Sequence, residues 1–353
     1  MRIGILTFPT AINYGTALQA AALRKVLSPD INTVTFLNHR CKLIDSTNKV
    51  FDIGCAFDIK YTIAHLYNLD VALKRTRNFK KFQNKYIPLS PDNPEIYDTV
   101  VAGSDQIWNY NLTDYDYHYF LDYPKKNTLK IAYSGSFGLS KIAESQKEKI
   151  AATLADFDYL SVREMQAAKI IKEIADIDTP VVCDPTLLLN KEDWDEMKDK
   201  TFDKTGYIFV YTVFNSEKIW EYAEKLSKET GLPIRTISYS KLHKRNAEYD
   251  FTAGPDRWLS HIMNADYVVT NSFHGLAFSI NFEKNFFFDL PPEKSGVGSR
   301  LSDISQRYCL ADRNISGMDF EFTTEAPNFS TKRELLEQDK KASLDFINQF
   351  LEK

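Results

Sequence analysis

The chain alternates short apolar runs with segments in which apolar residues recur every three to four positions, a pattern typical of strands followed by helices. In the N-terminal half, the apolar runs predict strands at Arg2–Phe8, Thr33–Leu37, Thr99–Ala102, Lys130–Ser134 and Asp158–Val162. The periodic segments predict helices from Asn13 to about Leu27 and over Tyr61–Gln83, Lys141–Leu154 and Met165–Ala175. Strands that alternate with helices in this way build mostly parallel sheets covered by helices.

The pattern pauses at the charged segment Asn190–Lys204, where we place a domain boundary. It then restarts with predicted strands at Tyr207–Phe214, Ile234–Ser238, within Ala265–Thr270, and at Phe286–Asp289, and with helices near Glu217–Glu229, Asp256–Met263 and Arg300–Tyr308. The amphipathic end, Lys332–Leu351, is expected to pack back across the boundary. We therefore expect an α/β protein in which two Rossmann-like domains, 1–189 and 190–330, face a cleft, followed by a C-terminal helix in 331–353.

A polar turn, Thr270–Gly275, separates an apolar run from a helical pattern. In parallel α/β sheets, the turn from the carboxyl end of a strand into a helix is where ligands bind. Asn271 and Ser272 are good helix caps, and the unpaired amides of a new helix favour a phosphate or carboxylate. Gly275 allows a ligand to approach the backbone closely, and His274 can exchange a proton near neutral pH. The alternative is an ordinary capped helix with a packed histidine.

The segment Gly103–Asn109 follows another predicted strand, so it belongs at the carboxyl edge of its sheet. Asp105 can orient a hydroxyl or accept its proton, and Gln106 can bind sugar hydroxyls. Trp108 can stack on a pyranose ring, for which it must be exposed in the cleft. A capped helix start with a core tryptophan is the alternative.

Two further predicted strands end in groups that suit an anion. Ser136 lies in a turn of small residues, 134–138, whose successive amides can face an anion. Arg163 directly follows the Asp158–Val162 strand, and a guanidinium there can grip a carboxylate or phosphate with two hydrogen bonds. A plain loop and a salt bridge, for example to Glu164, are the respective alternatives.

Composition narrows the classes of function. Of the 353 residues, 43% are hydrophobic and 26% are charged, as in soluble globular proteins, and the net charge of −4 argues against a nucleic-acid-binding protein. No apolar run is long enough to span a bilayer. The cysteines, Cys41, Cys55, Cys183 and Cys309, lack metal-binding spacing, so we expect reduced core residues of a cytoplasmic protein.

Several common ligand patterns are absent or weak. No glycine-rich dinucleotide or P-loop motif follows a strand. Asp114-Tyr115-Asp116 has the spacing that some glycosyltransferases use for a cation, but it is short and lies in a tyrosine-rich loop, so we expect no metal site. The basic run Lys74–Lys85 suits anionic lipid or a lipid diphosphate, or else is a solvated helix face.

Seven short segments, taken in order, resemble the polysaccharide pyruvyl transferase family. They are Asn13-Tyr14-Gly15, Gly103–Trp108, Ser134–Gly138, Ser161–Glu164, Asp184-Pro185-Thr186, Asn271–Gly275 and, more weakly, Ser299-Arg300-Leu301. The resemblance implies a fold like that of GT-B glycosyltransferases. It also implies transfer of pyruvate from phosphoenolpyruvate, as co-substrate and without a further cofactor, to two hydroxyls of a sugar as a cyclic ketal.

The resemblance also implies roles for individual residues. His274 becomes the acid/base and Arg163 a ligand of the donor anion, with Arg300 as a second such ligand in a less regular motif. Together with the local chemistry above, we expect His274, Arg163 and Asp105 as catalytic residues, Ser272, Asn271, Gly275, Arg300 and Ser136 as donor-binding residues, and Asn13, Tyr14, Gln106 and Trp108 as acceptor-binding residues. The expected partners are phosphoenolpyruvate and a glycan or lipid-linked glycan, with peripheral contact at the inner face of the membrane. A nucleotide-sugar glycosyltransferase and a non-catalytic saccharide-binding protein are the alternatives.

Overall fold

The computed structural model describes residues 1–28, 33–47, 59–123, 127–242, 245–290, 299–318 and 320–352. Its strands are β1 Arg2–Leu6, β2 Thr33–Leu37, β3 Leu89–Ser90, β4 Thr99–Ala102, β5 Leu129–Gly135, β6 Tyr159–Val162, β7 Ile208–Tyr211, β8 Ile234–Ile237, β9 Glu248–Asp250, β10 Tyr267–Thr270 and β11 Asn285–Phe288. Its helices are α1 Tyr14–Leu27, α2 Lys42–Thr47, α3 Ile59–Tyr86, α4 Tyr110–Thr113, α5 Glu144–Leu154, α6 Met165–Ala175, α7 Pro185–Leu188, α8 Lys191–Met197, α9 Glu217–Thr230, α10 Pro255–Asn264, α11 Phe273–Asn281, α12 Ser299–Arg307 and α13 Ser330–Leu351.

The strands form two parallel sheets, as the sequence predicts. The first has the order β3-β2-β1-β4-β5-β6 and the second the order β11-β10-β7-β8-β9. In each sheet the chain begins at a central strand, β1 or β7, builds outward to one side, and then crosses to the other side at β4 or β10. Each sheet therefore has a point where its strand order reverses, and ligands bind at the carboxyl ends of the strands beside such a point.

A shared hydrophobic core joins the two halves. Apolar side chains of both sheets, such as Ile5 in β1 and Val268 in β10, are fully buried in the same cluster. Helix α1 lies between the halves because its alanines and leucines bury most of its surface. At its start, the Tyr14 ring stacks on Trp258 of α10 at a centroid distance of 5.9 Å. This packing fixes the amino end of α1 relative to the second sheet.

Helix α13 packs back onto the first half, as predicted. The Cys183 amide donates to Ser343 Oγ at 2.8 Å, and the Tyr159 hydroxyl donates to the Gln349 carbonyl at 3.2 Å. Ion pairs of α13 with Arg307 and Glu283 hold the same helix to the second half. The C-terminal helix therefore fastens the two halves together.

Differences from the sequence predictions lie mainly at edges and surfaces. The edge strands β3 and β9 are absent from the predictions, because two or three half-polar residues give no apolar run. Cys41 and Cys183 are buried as expected, whereas Cys309 is exposed, and Cys55 lies outside the described residues. Within the described ranges, no helix combines the length and the apolar character needed to cross a bilayer.

Candidate active site

A cleft of about 840 Å³ opens where the carboxyl ends of the two sheets face each other. Both reversal points contribute to it, through the turns after β1, β4, β7 and β10. Six of the residues singled out in the sequence line it: Asn13, Asp105, Gln106, Ser272, His274 and Arg300. The cleft therefore brings together side chains that are up to 287 positions apart in the sequence, from Asn13 to Arg300.

Two helix amino ends converge on this cleft. Asn13 caps α1 by accepting from the Thr16 amide at 3.2 Å, and Ser272 caps α11 by accepting from the Gly275 amide at 3.3 Å. The two ends are so close that a Cβ atom on Gly15 would lie 1.9 Å from His274 Nδ1. Since each helix amino end carries partial positive charge and unpaired amides, the pair favours an anion.

Asp184, at the start of α7, holds the imidazole of His274. Its fully buried carboxylate accepts from the Thr186 amide at 3.0 Å and from Arg163 Nη1 at 2.9 Å, and one of its oxygens lies 3.7 Å from His274 Nε2. Burial alone would raise the pKa of this carboxyl, but the nearby charges of His274 and Arg163 and the hydrogen bond from the Thr186 amide outweigh burial and lower the pKa well below its usual range. Asp184 is thus an ionised carboxylate beside Nε2, which has no hydrogen-bond partner among the described residues, and Nδ1 lies on the Gly15 side of the ring.

Asp105 follows β4 and joins the start of α1 to Arg163. Its Oδ2 accepts from Thr16 Oγ1 at 2.6 Å, and its Oδ1 accepts from the Gln106 amide at 2.9 Å and lies 3.5 Å from Arg163 Nη2. Burial raises the pKa of this carboxyl, but the charges of Arg163 and His274 and the Thr16 hydrogen bond more than offset it and lower the pKa. A carboxylate that stays ionised is a good hydrogen-bond acceptor and a weak proton acceptor near neutral pH.

Arg300 supplies a cation on the cleft wall. The amide oxygen of Gln106, in the orientation that meets the guanidinium, accepts from Arg300 Nη2 at 3.0 Å and from Nη1 at 3.3 Å. Burial and the nearby charge of Arg163 lower the pKa of Arg300 to about 10. Its Nε has no hydrogen-bond partner among the described residues. An anion bound in the cleft would compensate this buried positive charge.

Arg163 lies behind the cleft wall, which corrects the predicted direct contact with a donor anion. Its guanidinium is surrounded by the carboxylates of Asp184, Asp105 and Glu164 at 2.9, 3.5 and 3.6 Å. Burial raises the pKa of Glu164, and the Ser136 hydroxyl donates to its carboxyl at 2.7 Å. Ser136 is therefore also a supporting residue, and its predicted contact with the donor is wrong.

These segments belong to one recognisable sequence family. The sequence profile of polysaccharide pyruvyl transferases matches residues 13–288, which include the cleft residues from Asn13 to His274. The chain belongs to the polysaccharide pyruvyl transferase family. It is therefore a transferase of the class that acts in polysaccharide biosynthesis. No curated protein matches its sequence.

Solved structures of nucleotide-sugar enzymes have a similar chain path. The S. aureus MnaA–UDP complex is 12% identical, with 99% of this chain and 96% of that chain covered at a TM-score of 0.47. The UDP-GlcNAc 2-epimerase of Neisseria meningitidis bound to UDP-GlcNAc is 9% identical, with coverages of 97% and 100% and a TM-score of 0.41. The E. coli heptosyltransferase WaaC with ADP is 9% identical, with coverages of 85% and 90% and a TM-score of 0.37.

Two aromatic residues of this pyruvyl transferase that were predicted to bind acceptor are core residues instead. Trp108 is fully buried, donates from Nε1 to the Tyr119 carbonyl at 3.1 Å and stacks on Phe120. Tyr14 is also fully buried and donates to the Ala253 carbonyl at 3.1 Å. Neither can stack on a sugar, because packing with residues distant in sequence covers both rings. The predicted exposure of Trp108 is therefore wrong.

Two residues of the Thr270–Gly275 turn shape the transferase cleft from behind its wall. Asn271 accepts from the Val213 amide at 2.8 Å and donates to the Phe214 carbonyl at 2.8 Å, and so joins the turns after β7 and β10. A Cβ atom on Gly275 would lie 2.4 Å from Thr270 Oγ1, so α11 needs glycine there to start beside its strand. The predicted donor contacts of both residues are thus corrected to supporting roles.

The outer part of the transferase cleft contains a cation and an aromatic ring that the sequence analysis did not select. Arg75, on α3, places its guanidinium carbon 4.3 Å from the ring centroid of Tyr239, which is 49% exposed. Burial lowers the pKa of Arg75, and its Nε has no hydrogen-bond partner in the described part of the chain. The basic run on α3 gave the only sequence signal for Arg75, and nothing marked Tyr239.

Proposed function

We propose that this transferase moves pyruvate from phosphoenolpyruvate to two hydroxyls of a glycan or glycan precursor and forms a cyclic ketal. The observation that supports it most directly is the convergence of two helix amino ends, Arg300 and His274 in one cleft. Phosphoenolpyruvate is a small molecule with two anionic groups, so helix amino ends and a guanidinium suit it. Its conversion also needs proton transfer at carbon and oxygen, which an imidazole can perform.

The proposed reaction balances without an outside oxidant or reductant. His274 gives a proton to the methylene carbon, and a sugar hydroxyl attacks the neighbouring carbon and loses its own proton to the same imidazole. The phosphate then leaves with the electrons of its carbon–oxygen bond, stabilised by Arg300 and the helix amino ends. The second hydroxyl attacks the resulting cation, gives its proton to the departed phosphate, and closes the ketal. The products are the ketal and inorganic phosphate.

We assign supporting roles to the two buried carboxylates. Asp184 places a carboxylate 3.7 Å from His274 Nε2, and this carboxylate stays ionised because its own pKa is lowered. Asp105 lies on the cleft wall, where its carboxylate can accept a hydrogen bond from a sugar hydroxyl and orient it. Arg75 and Tyr239 form the wall against which the acceptor packs, in place of Trp108.

A lipid-linked acceptor would place the cleft near a membrane surface, and α3 suits such a contact. Its residues Ile63, Leu66 and Leu73 are exposed apolar side chains beside cleft-lining positions of the same helix, and basic residues follow in the run Lys74–Lys85. We propose peripheral contact with anionic lipid at the cytoplasmic face. Co-sedimentation with vesicles that contain anionic lipid tests it, and equal sedimentation with neutral vesicles would contradict it.

The deciding experiment incubates the protein with phosphoenolpyruvate and a panel of glycans and measures phosphate release and a product heavier by one pyruvyl group. His274→Ala should lower turnover by roughly a hundredfold or more while the protein stays folded, as expected for loss of general acid–base catalysis. Thermal shift separates the alternatives, since stabilisation by a nucleotide sugar and not by phosphoenolpyruvate would favour a glycosyltransferase. Binding of saccharide without consumption of donor would indicate a binding protein.

A further inference from the structure

Four side chains that can ligate metals meet outside the cleft, at the carboxyl edge of the first sheet. His39 follows β2, Asp92 follows β3, and Asp116 follows α4 and caps the short 3-10 helix Tyr117–Phe120 that contains His118. Asp92 joins the two histidines: its Oδ2 lies 2.8 Å from His39 Nδ1 and its Oδ1 lies 3.1 Å from His118 Nε2. One ligand atom from each of these three residues lies within 4.8 Å of the others. None of the four was predicted from the sequence to bind a metal.

Asp116 lies outside this group of three residues and orients both histidines. Its Oδ2 lies 2.6 Å from His39 Nε2, and its Oδ1 accepts from the His118 amide at 3.0 Å. The two imidazole rings stack at a centroid distance of 4.2 Å. Histidines that bind a metal through one nitrogen commonly donate the other N–H to a carboxylate, which fixes the tautomer and the ring. Asp116 has this relation to His39, whose Nδ1 is then directed at Asp92 and His118.

We propose that His39 Nδ1, His118 Nε2 and the Asp92 carboxylate bind one Zn²⁺ ion, with water in the remaining position. Two imidazoles and one carboxylate are nitrogen and oxygen ligands that suit Zn²⁺ rather than Mg²⁺ or Ca²⁺. Tetrahedral bonds of about 2.0–2.2 Å place ligand atoms roughly 3.3–3.5 Å apart. The present separations, 2.8 Å from Asp92 Oδ2 to His39 Nδ1 and 3.1 Å from Asp92 Oδ1 to His118 Nε2, are shorter than this, so the imidazoles must move away from the carboxylate to admit the ion.

The site stabilises loops and takes no part in the transfer reaction. None of the three ligands is among the described residues that line the cleft. The ion instead ties together the loops after β2 and β3 and the loop after α4. Ile44 and Leu112, which line the cleft, lie on α2 and α4, the helices next to the first and last of these loops. A bound ion would therefore stiffen one wall of the cleft without touching the substrate.

The test uses the full chain without an affinity tag, stripped of metal by a chelator and titrated with Zn²⁺ in a calorimeter. We expect one Zn²⁺ per chain and a higher unfolding temperature with Zn²⁺. Asp92→Asn and His118→Ala should weaken binding by more than about 100-fold, and Asp116→Asn by about 10–100-fold with the stoichiometry kept. Asp114→Asn, the same change two positions from Asp116 and outside the cluster, should bind as the wild type does.

Two results would overturn the site. One is the absence of Zn²⁺ binding to the stripped wild type, which would leave the cluster as a hydrogen-bonded network with a protonated His39. The other is equal binding by wild type and Asp92→Asn. X-ray absorption of the loaded wild type gives a further readout that does not depend on variant folding. Nitrogen and oxygen neighbours at about 2.0–2.2 Å support the proposal, and a sulfur neighbour from Cys41, two positions after His39 in the chain, contradicts it.

Discussion

Replacing Gly15 with alanine should disable the proposed acid/base without removing any functional group. Gly15 is the second residue of α1, and its φ is not in the left-handed region, so the backbone itself accepts alanine. The obstacle is His274, because the new Cβ would lie 1.9 Å from Nδ1 and 2.3 Å from Cγ of the ring. Real Cβ atoms essentially never approach another heavy atom closer than 3.0 Å, so the ring must move by about 1.1 Å or more.

The size of this displacement sets the expected loss of activity. A misplacement of about 1 Å can cost a factor of about 100 in rate, or about 2.7 kcal/mol of transition-state stabilisation. The ring would also leave its position beside Asp184, which holds Nε2 at 3.7 Å. Displacing a buried ring costs about 1–3 kcal/mol of stability, and the helix preference for alanine over glycine, up to about 1 kcal/mol, offsets part of that cost. The variant should therefore stay folded, unfold at a somewhat lower temperature than wild type, and be about 100-fold slower.

A double-mutant cycle measured by phosphate release from phosphoenolpyruvate tests this reasoning. If Gly15→Ala acts only by moving His274, then Gly15→Ala combined with His274→Ala should be no slower than His274→Ala alone. Thermal unfolding of the four proteins controls for stability. Wild-type turnover in Gly15→Ala would refute the steric argument. A further large loss in the double variant would show that Gly15 acts through something other than the imidazole.

Three further predictions concern the charges around the cleft. Arg300→Lys should raise the KM for donor about tenfold or more, because lysine cannot reproduce a two-pronged contact. In the wild type, calorimetry should show donor affinity falling as the pH rises through about 10, where Arg300 loses its charge. Asp184→Asn should unfold at a lower temperature near pH 7. Because the pKa of Asp184 is lower in the folded state, its stabilising effect is complete above the unfolded pKa of about 3.9 and is lost as the pH falls below that value. Scanning calorimetry should therefore find that acid below that pH lowers the unfolding temperature of the variant less than that of the wild type. Arg75→Met should raise the KM for acceptor several-fold and leave the KM for donor unchanged, whereas Lys81→Met, an exposed control on the same helix, should change neither.

The sequence predicted the parts of the site that depend on local chemistry. The strand, turn and helix around Thr270–Gly275 follow from a run of β-branched residues, a serine cap and an apolar helix, and the structure has β10, the Ser272 cap and α11 there. The same holds for Asn13 at the start of α1. These features are set by residues within a few positions of one another, so a pattern along the chain is sufficient to find them.

Exposure of a side chain in a loop is not determined locally, which is why the prediction for Trp108 was wrong. A ring in the turn after β4 can face the cleft or the core, and the choice depends on whether the core has room. Gly135, at the end of β5, provides that room, since a Cβ atom on it would lie 2.6 Å from Trp108 Cη2. The ring therefore fills a space left by a glycine 27 positions away, in the neighbouring strand.

The contacts of Gly15 and Asp184 with His274 also depend on packing between residues far apart in the sequence, here between the two halves of the protein. In the sequence alone, Gly15 looks like any glycine at the start of a helix. Asp184 likewise looks like an ordinary helix cap, and it does cap α7 by accepting from the Thr186 amide. Their contacts with His274 arise only because the shared core sets the amino end of α1 against that of α11. The proposed acid/base thus depends on the packing between the two halves, and a change that lets them shift, even far from the cleft, should reduce turnover before it unfolds the protein.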